Sequence, residues 1–260
     1  MNDVADWWQT AIIDMEPGRI AIRGHEIQEL IGNLSFAEMV WLMLRGARPE
    51  AGQAQLLEAA LVAAVDHGPQ APSIAAARMA VTCGLGLNGA MGTAIHMLDD
   101  VHGGAGEQLV EWLYGLAEAG NGRELDLVAE IAAYQADVTR YIPGFGHRFH
   151  KPVDPRAPRL MSLVAEARDA GLVSGRFLAL ARGIEARLAE LKGRPVPMNI
   201  DGATAVIFAE LGFDAPLARG LFCLSRAVGA MAHGHEQMRQ GGRNKGPTPP
   251  HYRWTFTKEG

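Results

Sequence analysis

Residues 142–156 read IPGFGHRFHKPVDPR and set His147, His150, Arg148, Lys151 and Arg156 among glycines and prolines in one unpatterned stretch. Imidazole donates or moves protons near neutral pH, and the guanidinium fork matches a carboxylate. Glycine lets the backbone approach a ligand closely. Such a segment suits a site that holds an anion and transfers a proton. Three other stretches share its character: DHGP at 66–69, DDVHGGAGEQ at 99–108 and PVPMNIDGATA at 195–205. Each sets an acid or a histidine beside glycine or proline, on a loop, where function concentrates. Singly, each also has an ordinary reading. Asp66 can stop a helix and His67 can sit in a turn. His102 can face a helix C-terminus, and Asp201 can be the N-cap of GATAVIFAEL. Four such loops together favour a shared site.

Helices must position these loops. SFAEMVWLMLRGARPE has Ser35 as N-cap with Glu38 at capping-box spacing, then Gly46 and Pro49. EQLVEWLYGLAEAG, LDLVAEIAAYQADVTR, APRLMSLVAEARDAG, GRFLALARGIEARLAELKG and PLARGLFCLSRAVGAMAHGHEQMRQGG carry apolar residues at helical spacing and stop near glycine. TAIIDMEPGRIAIRG is the exception: β-branched runs around Pro17-Gly18 predict a small hairpin. Strands do not alternate with helices, so a parallel α/β sheet is not expected. GLGLNG (84–89) matches a dinucleotide fingerprint only as a string, because it follows the helical IAAARMAVTC and reads as a helix break. His233 and His235, two apart on a helix, read as surface or interface residues and not as a metal pair. His96 reads as a core or helix-packing histidine.

The chain has 260 residues, 48% hydrophobic and 20% charged, enough for one large domain or two modest ones. Its net charge of -5 gives no general attraction to nucleic acid or to an anionic membrane, so anion binding must come from local basic clusters. Cys83 and Cys223 lie in apolar runs and read as core residues, compatible with a reducing cytoplasm. The opening MNDVADWWQT lacks the basic-then-apolar pattern of a signal peptide, and no apolar run is long enough to span a bilayer.

Six segments, in order, resemble the citrate synthase superfamily. IIDMEPGRIAIRGHEIQELIGNLSFAEMVWLMLRGARPE looks like its N-terminal hairpin and first helix. DHGP is similar to its acid-His-Gly run, in the form of citryl-CoA lyase and the C-terminal module of ATP-citrate lyase. VHGGAGEQ resembles the histidine loop, PGFGHRFHKPVDPR is the most specific match, MNIDGATAVIFAELGF resembles the aspartate segment, and LSRAVGAMAHGHEQ the arginine helix. Two departures stand out. Only sixteen residues separate Pro49 from Asp66, where full-length citrate synthases carry a long helical insert; this compactness resembles citryl-CoA lyase. KGPTPPHYRW has prolines where the family places an arginine that reaches the neighbouring subunit, and none of Arg243, Lys245 and Arg253 is assigned to replace it.

The resemblance implies an all-α fold with a minor hairpin. A small CoA-binding domain, 104–213, would be inserted in a larger helical domain of 1–103 plus 214–260. It implies that the enzyme makes or breaks the bond between acetyl-CoA and oxaloacetate, with citryl-CoA cleavage favoured. Citrate synthase and 2-methylcitrate synthase are the alternatives, and a scaffold without activity is the non-enzyme reading. Asp201 would be the base, His102 the donor to the thioester oxygen and His147 the partner of the ketone oxygen. His67, Arg156 and Arg226 would bind substrate carboxylates. Pro143, Gly144, Phe145, Gly146, Lys151, Lys192 and Arg194 would bind coenzyme A. The thioester is a substrate, no metal or redox cofactor is implied, and the family works as a homodimer. Neither nucleic acid nor membrane is an expected partner.

Overall fold

The computed structural model describes residues 7–147, 150 and 152–258; Arg148 and Lys151 lie outside the described residues. The chain divides into two compact units, Met1–Glu58 and Ala59–Gly260.

In the first unit, β1 (Ile13–Glu16), β2 (Arg19–Ile22) and β3 (His25–Glu26) form an antiparallel sheet in that order. The expected hairpin is β1–β2, with Glu16 facing Arg19 across a turn at Pro17-Gly18. Gly18 takes a φ of 82°, which glycine adopts without a side-chain clash. After one turn of helix α1 (Ile27–Leu30) comes α2 (Phe36–Arg45). The predicted capping box is formed: the Ser35 hydroxyl accepts from the Glu38 amide, and the Glu38 carboxylate accepts from the Ser35 amide. Such a cap contributes about 1 kcal/mol. Gly46 ends α2 in the left-handed region. Helix α3 (Ala51–Ala63) begins in this unit.

The second unit is helical. Its members are α4 (Pro72–Thr82), α5 (Leu87–His96), α6 (Ala105–Ala119), α7 (Leu127–Asp137), α8 (Arg156–Asp169), α9 (Arg176–Lys192), α10 (Ile200–Glu210) and α11 (Ala215–Gln240). Helix α10 is apolar all round, and each residue from Gly202 to Ala209 is buried; a helix of that composition belongs in a core. It packs against α6, α8 and α9, while α11 packs against α4, α5 and α6. Glu210, at the end of α10, accepts from the Ser174 hydroxyl and from the amides of Gly175, Phe177 and Leu178. It thereby satisfies donors at the start of α9 that no helical carbonyl can reach.

The all-α architecture with a minor sheet matches the expectation. GLGLNG is the break between α4 and α5. Three readings are corrected. Cys83 is exposed and Cys223 only half-buried, because Cys83 is the C-cap of α4, past its packed face. His96 is exposed at the last position of α5. His233 is half-buried and paired, whereas His235 is exposed. No helix among the described residues is long and apolar enough to cross a membrane.

Candidate active site

His102 sits in a tight loop between α5 and α6. The Asp99 amide donates to the His102 carbonyl at 2.9 Å, and Gly103 takes a φ of 99°. Arg219 on α11 pairs with Asp99, Asp100 and Glu107 and ties the loop to that helix. The His102 ring is fixed by Ser73, in the first turn of α4. The Ser73 amide donates to Nε2 at 3.3 Å, and the Ser73 hydroxyl lies 3.0 Å from the same atom. An amide only donates, so Nε2 accepts and the ring proton sits on Nδ1. Burial, then the Arg226 charge, lowers the His102 pKa below the usual histidine value. With Nε2 accepting from Ser73, His102 presents a donating Nδ1–H.

His147 closes the loop at 142–147, which is laced to the segment before α10. The Gly146 amide donates to the Pro197 carbonyl at 2.7 Å, and the Asn199 amide to the Gly144 carbonyl at 2.9 Å. The Asn199 side-chain amide donates to the Gly146 carbonyl at 2.8 Å. Its side-chain oxygen accepts from the amides of Asp201 and Gly202, so Asn199, not Asp201, is the N-cap of α10. Glycine is required at both faces of this seam. A Cβ on Gly202 would lie 2.3 Å from the Gly144 carbonyl oxygen, and one on Gly144 would lie 2.6 Å from the Gly202 Cα. The His150 amide donates to His147 Nδ1 at 3.0 Å, which puts the His147 proton on Nε2. Burial, then the neighbouring His150 and Arg156, lowers the pKa of this ring, against the opposing charge of Asp154.

Asp201 stands in the first turn of α10, freed from capping by Asn199. It keeps a partly accessible surface although protein encloses its carboxylate, and burial raises its pKa. Arg226 and Arg156 oppose that rise. A carboxylate of this kind is a stronger base than one in water.

Two guanidiniums link the site. Arg226 is 3% exposed, donates from Nε to the Ala64 carbonyl at 3.3 Å and lies over the Phe222 ring at 4.8 Å. Its charge acts on His67, His102 and Asp201. Arg156 opens α8 and is held by the fully buried Asp154 through Nε at 2.9 Å and Nη2 at 2.8 Å. Burial alone would raise the Asp154 pKa; the Arg156 side chain and amide outweigh it and hold the carboxyl below its ordinary value. Arg156 acts on His67, His147 and Asp201. The His67 ring meets the His147 ring edge-on at 5.2 Å, and burial, followed by the nearby Arg156 and Arg226 guanidiniums and the neighbouring histidines, lowers its pKa. His67, His102, His147, Asp201, Arg156 and Arg226 thus share one electrostatic neighbourhood.

A cavity of about 1020 Å³ opens beside His147. Phe145, Gly146, Lys192 and Arg194 line it, as the sequence suggested, and Arg140 and Tyr141 join them. The Arg140 guanidinium lies 4.5 Å from the Tyr141 ring centre. Pro143 and Gly144 are buried and do not line the cavity, because Gly144 is pressed against α10. The sequence reading missed Ser73, Asp154, Asn199 and Arg140. Asp154 stands inside PVDPR, where an acid two residues before an arginine was a usable signal; Ser73 offered none, since its partner lies 29 residues on. Among the described residues, no group of three or more His, Cys, Asp or Glu is arranged to hold a metal ion.

Comparison with known proteins places the chain. A family model, citrate synthase, C-terminal domain, matches residues 43–248. A citrate synthase of Acidithiobacillus ferridurans is 28% identical over 214 residues, covering 79% of this chain and 52% of that protein. The chain thus spans about half the length of the curated citrate synthases it matches. Among solved structures, citryl-CoA lyase from Hydrogenobacter thermophilus superposes with a TM-score of 0.85 at 30% identity, covering 97% of this chain and 96% of that one. ATP citrate lyase from Methanothrix soehngenii, solved with citrate and coenzyme A, gives a TM-score of 0.82 at 21% identity over 97% of this chain and 42% of its own, a likeness of fold. The chain belongs to the citrate synthase family.

Proposed function

We propose that this protein cleaves citryl-CoA to acetyl-CoA and oxaloacetate. The observation that carries the reading is the end-to-end match to a citryl-CoA lyase, at 97% and 96% coverage. The compact 49–66 connection, which holds only α3, supports it.

The side chains suit carbon–carbon chemistry next to a thioester. In the condensing direction Asp201 takes a proton from the acetyl methyl group. That carbon is a weak acid, so its enolate oxygen must be stabilised as it forms, and the His102 Nδ1–H is the donor. The enolate carbon attacks the ketone carbon of oxaloacetate. The ketone oxygen becomes an alkoxide, which the His147 Nε2–H receives with Arg226 and Arg156 nearby. Cleavage runs through the same atoms in reverse: a base takes the proton of the citryl hydroxyl, the alkoxide held by the His147 Nε2–H collapses to the ketone, the carbon–carbon bond breaks, and the enolate carbon takes a proton from the protonated Asp201 carboxyl. Arg226, Arg156 and His67 hold the carboxylates. Coenzyme A lies in the cavity beside His147, its phosphates facing Lys192, Arg194 and Arg140. The 104–213 segment closes as a small domain over the substrate, and two chains form a dimer. The reaction draws on these groups and the thioester alone.

A second reading, citrate synthase, has the presence of His102 alongside His147 and Asp201 and the citrate synthase relatives in its favour. Both enzymes share the carbon–carbon step, and hydrolysis of bound citryl-CoA separates them. Product analysis from citryl-CoA decides: acetyl-CoA with oxaloacetate supports the lyase, and stoichiometric free CoA with citrate assigns the synthase.

A further inference from the structure

Arg226, Gly229 and His233 lie three and four residues apart on α11 and so form one stripe on one helix face. That stripe meets the turn that carries His67. At Gly229 the approach is so close that a Cβ would lie 2.2 Å from the Val65 carbonyl oxygen and 3.3 Å from Asp66 Oδ1. One turn further along, His233 Nε2 is 3.2 Å and 3.3 Å from the two Asp66 carboxylate oxygens. Its other ring nitrogen, Nδ1, is 3.1 Å from Arg78 Nη1 on α4. A guanidinium can only donate, so Nδ1 accepts and the imidazole proton must sit on Nε2, aimed at Asp66. Arg78 is in turn held by Glu236 and Gln240 of α11. Asp66 Oδ2 accepts from the Gly68 amide at 3.1 Å, which closes the turn around His67.

His67 is thus fixed on both sides of its backbone by contacts that the chemistry in "Proposed function" does not use. We propose that His233 is a positioning residue for carboxylate recognition: with its tautomer set by Arg78, it anchors Asp66 and so presents the His67 imidazole to the substrate carboxylate. The proposal rests on the reading that His67 binds that carboxylate. A helix-packing role alone would leave the anion affinity tied to overall stability; a positioning role ties it to His67.

The test is a double-mutant cycle read by calorimetry, with oxaloacetate and coenzyme A titrated separately into the full chain. Loss of a hydrogen bond to a charged group weakens binding by about 10- to 100-fold, so His67→Ala loses that much oxaloacetate affinity. His233→Phe loses about 5- to 50-fold for oxaloacetate, and coenzyme A affinity stays within about twofold. His233→Gln, whose amide can accept from Arg78 and donate to Asp66, restores most of the loss. The double variant binds oxaloacetate no more weakly than His67→Ala, within about twofold, because both changes act through one group. Arg78→Leu leaves the imidazole but frees its tautomer; it carries the same expectation at smaller size and supplies the readout if His233→Phe does not fold. Unchanged oxaloacetate affinity in His233→Phe, additive losses in the double variant, or parallel loss of both ligands overturns the proposal while leaving the His67 assignment standing. An unaffected His67→Ala overturns that assignment, and the proposal with it.

Discussion

Asp201 shows how one residue trades stability for chemistry. Its carboxyl is raised in the folded chain by burial, against Arg226 and Arg156, from an ordinary value of 3.8. Above pH 3.8 and up to the folded value, the folded chain binds more protons at this group than the unfolded chain. Stability from this residue therefore falls as pH rises through that window. Asp201→Asn is neutral throughout and removes the loss. It should melt higher than the parent at neutral pH, by about 2–4 °C for each kcal/mol relieved, and match it below pH 3.8. Turnover of the same variant should fall by about 100- to 10,000-fold while coenzyme A still binds. Calorimetric melting across pH, with steady-state rates, checks both; a variant with parental rate would contradict the role of Asp201. Much of this site was legible at the residue scale. His102, His147, Asp201 and Arg156 stand in short motifs that break the helical pattern, whereas Arg226 lies inside the regular helix α11 and only the family resemblance pointed to it. Ser73, Asp154, Asn199 and His233 were not read as site residues, because each acts by orienting another group. His233 looked like a surface residue since its partner Asp66 is 167 residues away in sequence.

At the scale of elements, the loop at 142–147 and the start of α10 behave as one piece. Backbone hydrogen bonds join them, and Gly144 and Gly202 touch without side chains between them. Gly202→Ala should cost about 1–3 kcal/mol in urea unfolding, the scale of an overpacked core, and should depress activity by moving His147 away from Asp201. An unchanged unfolding midpoint would contradict the close seam. Gly229→Ala is a sharper case. In an exposed helix that change stabilises, by about 1 kcal/mol. Here the added Cβ meets the Val65 carbonyl, so destabilisation and weakened oxaloacetate binding are expected together. The elements themselves were readable from local rules: the capping box at Ser35, the hairpin turn at Pro17-Gly18, and helices ending at Gly46, Gly120, Gly193 and Gly241. What local rules missed was tertiary. Cys83 looked like core because its neighbours are apolar, yet it lies at the end of α4 where the chain turns outward. Asp201 looked like a cap because aspartate favours that position, but Asn199, two residues earlier, holds it.

At the scale of the whole molecule, the proposal separates two anion sites. Arg156→Ala and Arg226→Ala should weaken oxaloacetate binding by tenfold or more and leave coenzyme A nearly unchanged, since about 1.4 kcal/mol is a factor of ten and each removes a charge-assisted contact. The paired change Lys192→Ala with Arg194→Ala should do the reverse, with an effect that shrinks in high salt as phosphate contacts are screened. Calorimetry with each ligand, at low and high ionic strength, checks the division; equal losses for both ligands would contradict it. The central claim is that Asp201 exchanges a proton with a carbon beside the thioester. The most direct measurement is cleavage of citryl-CoA in deuterated water, with the acetyl-CoA product read by mass spectrometry at early times. The account predicts acetyl-CoA carrying one deuterium on its methyl group, formed at a rate that collapses in Asp201→Asn. Acetyl-CoA without deuterium, or labelled acetyl-CoA formed equally fast by Asp201→Asn, would contradict it.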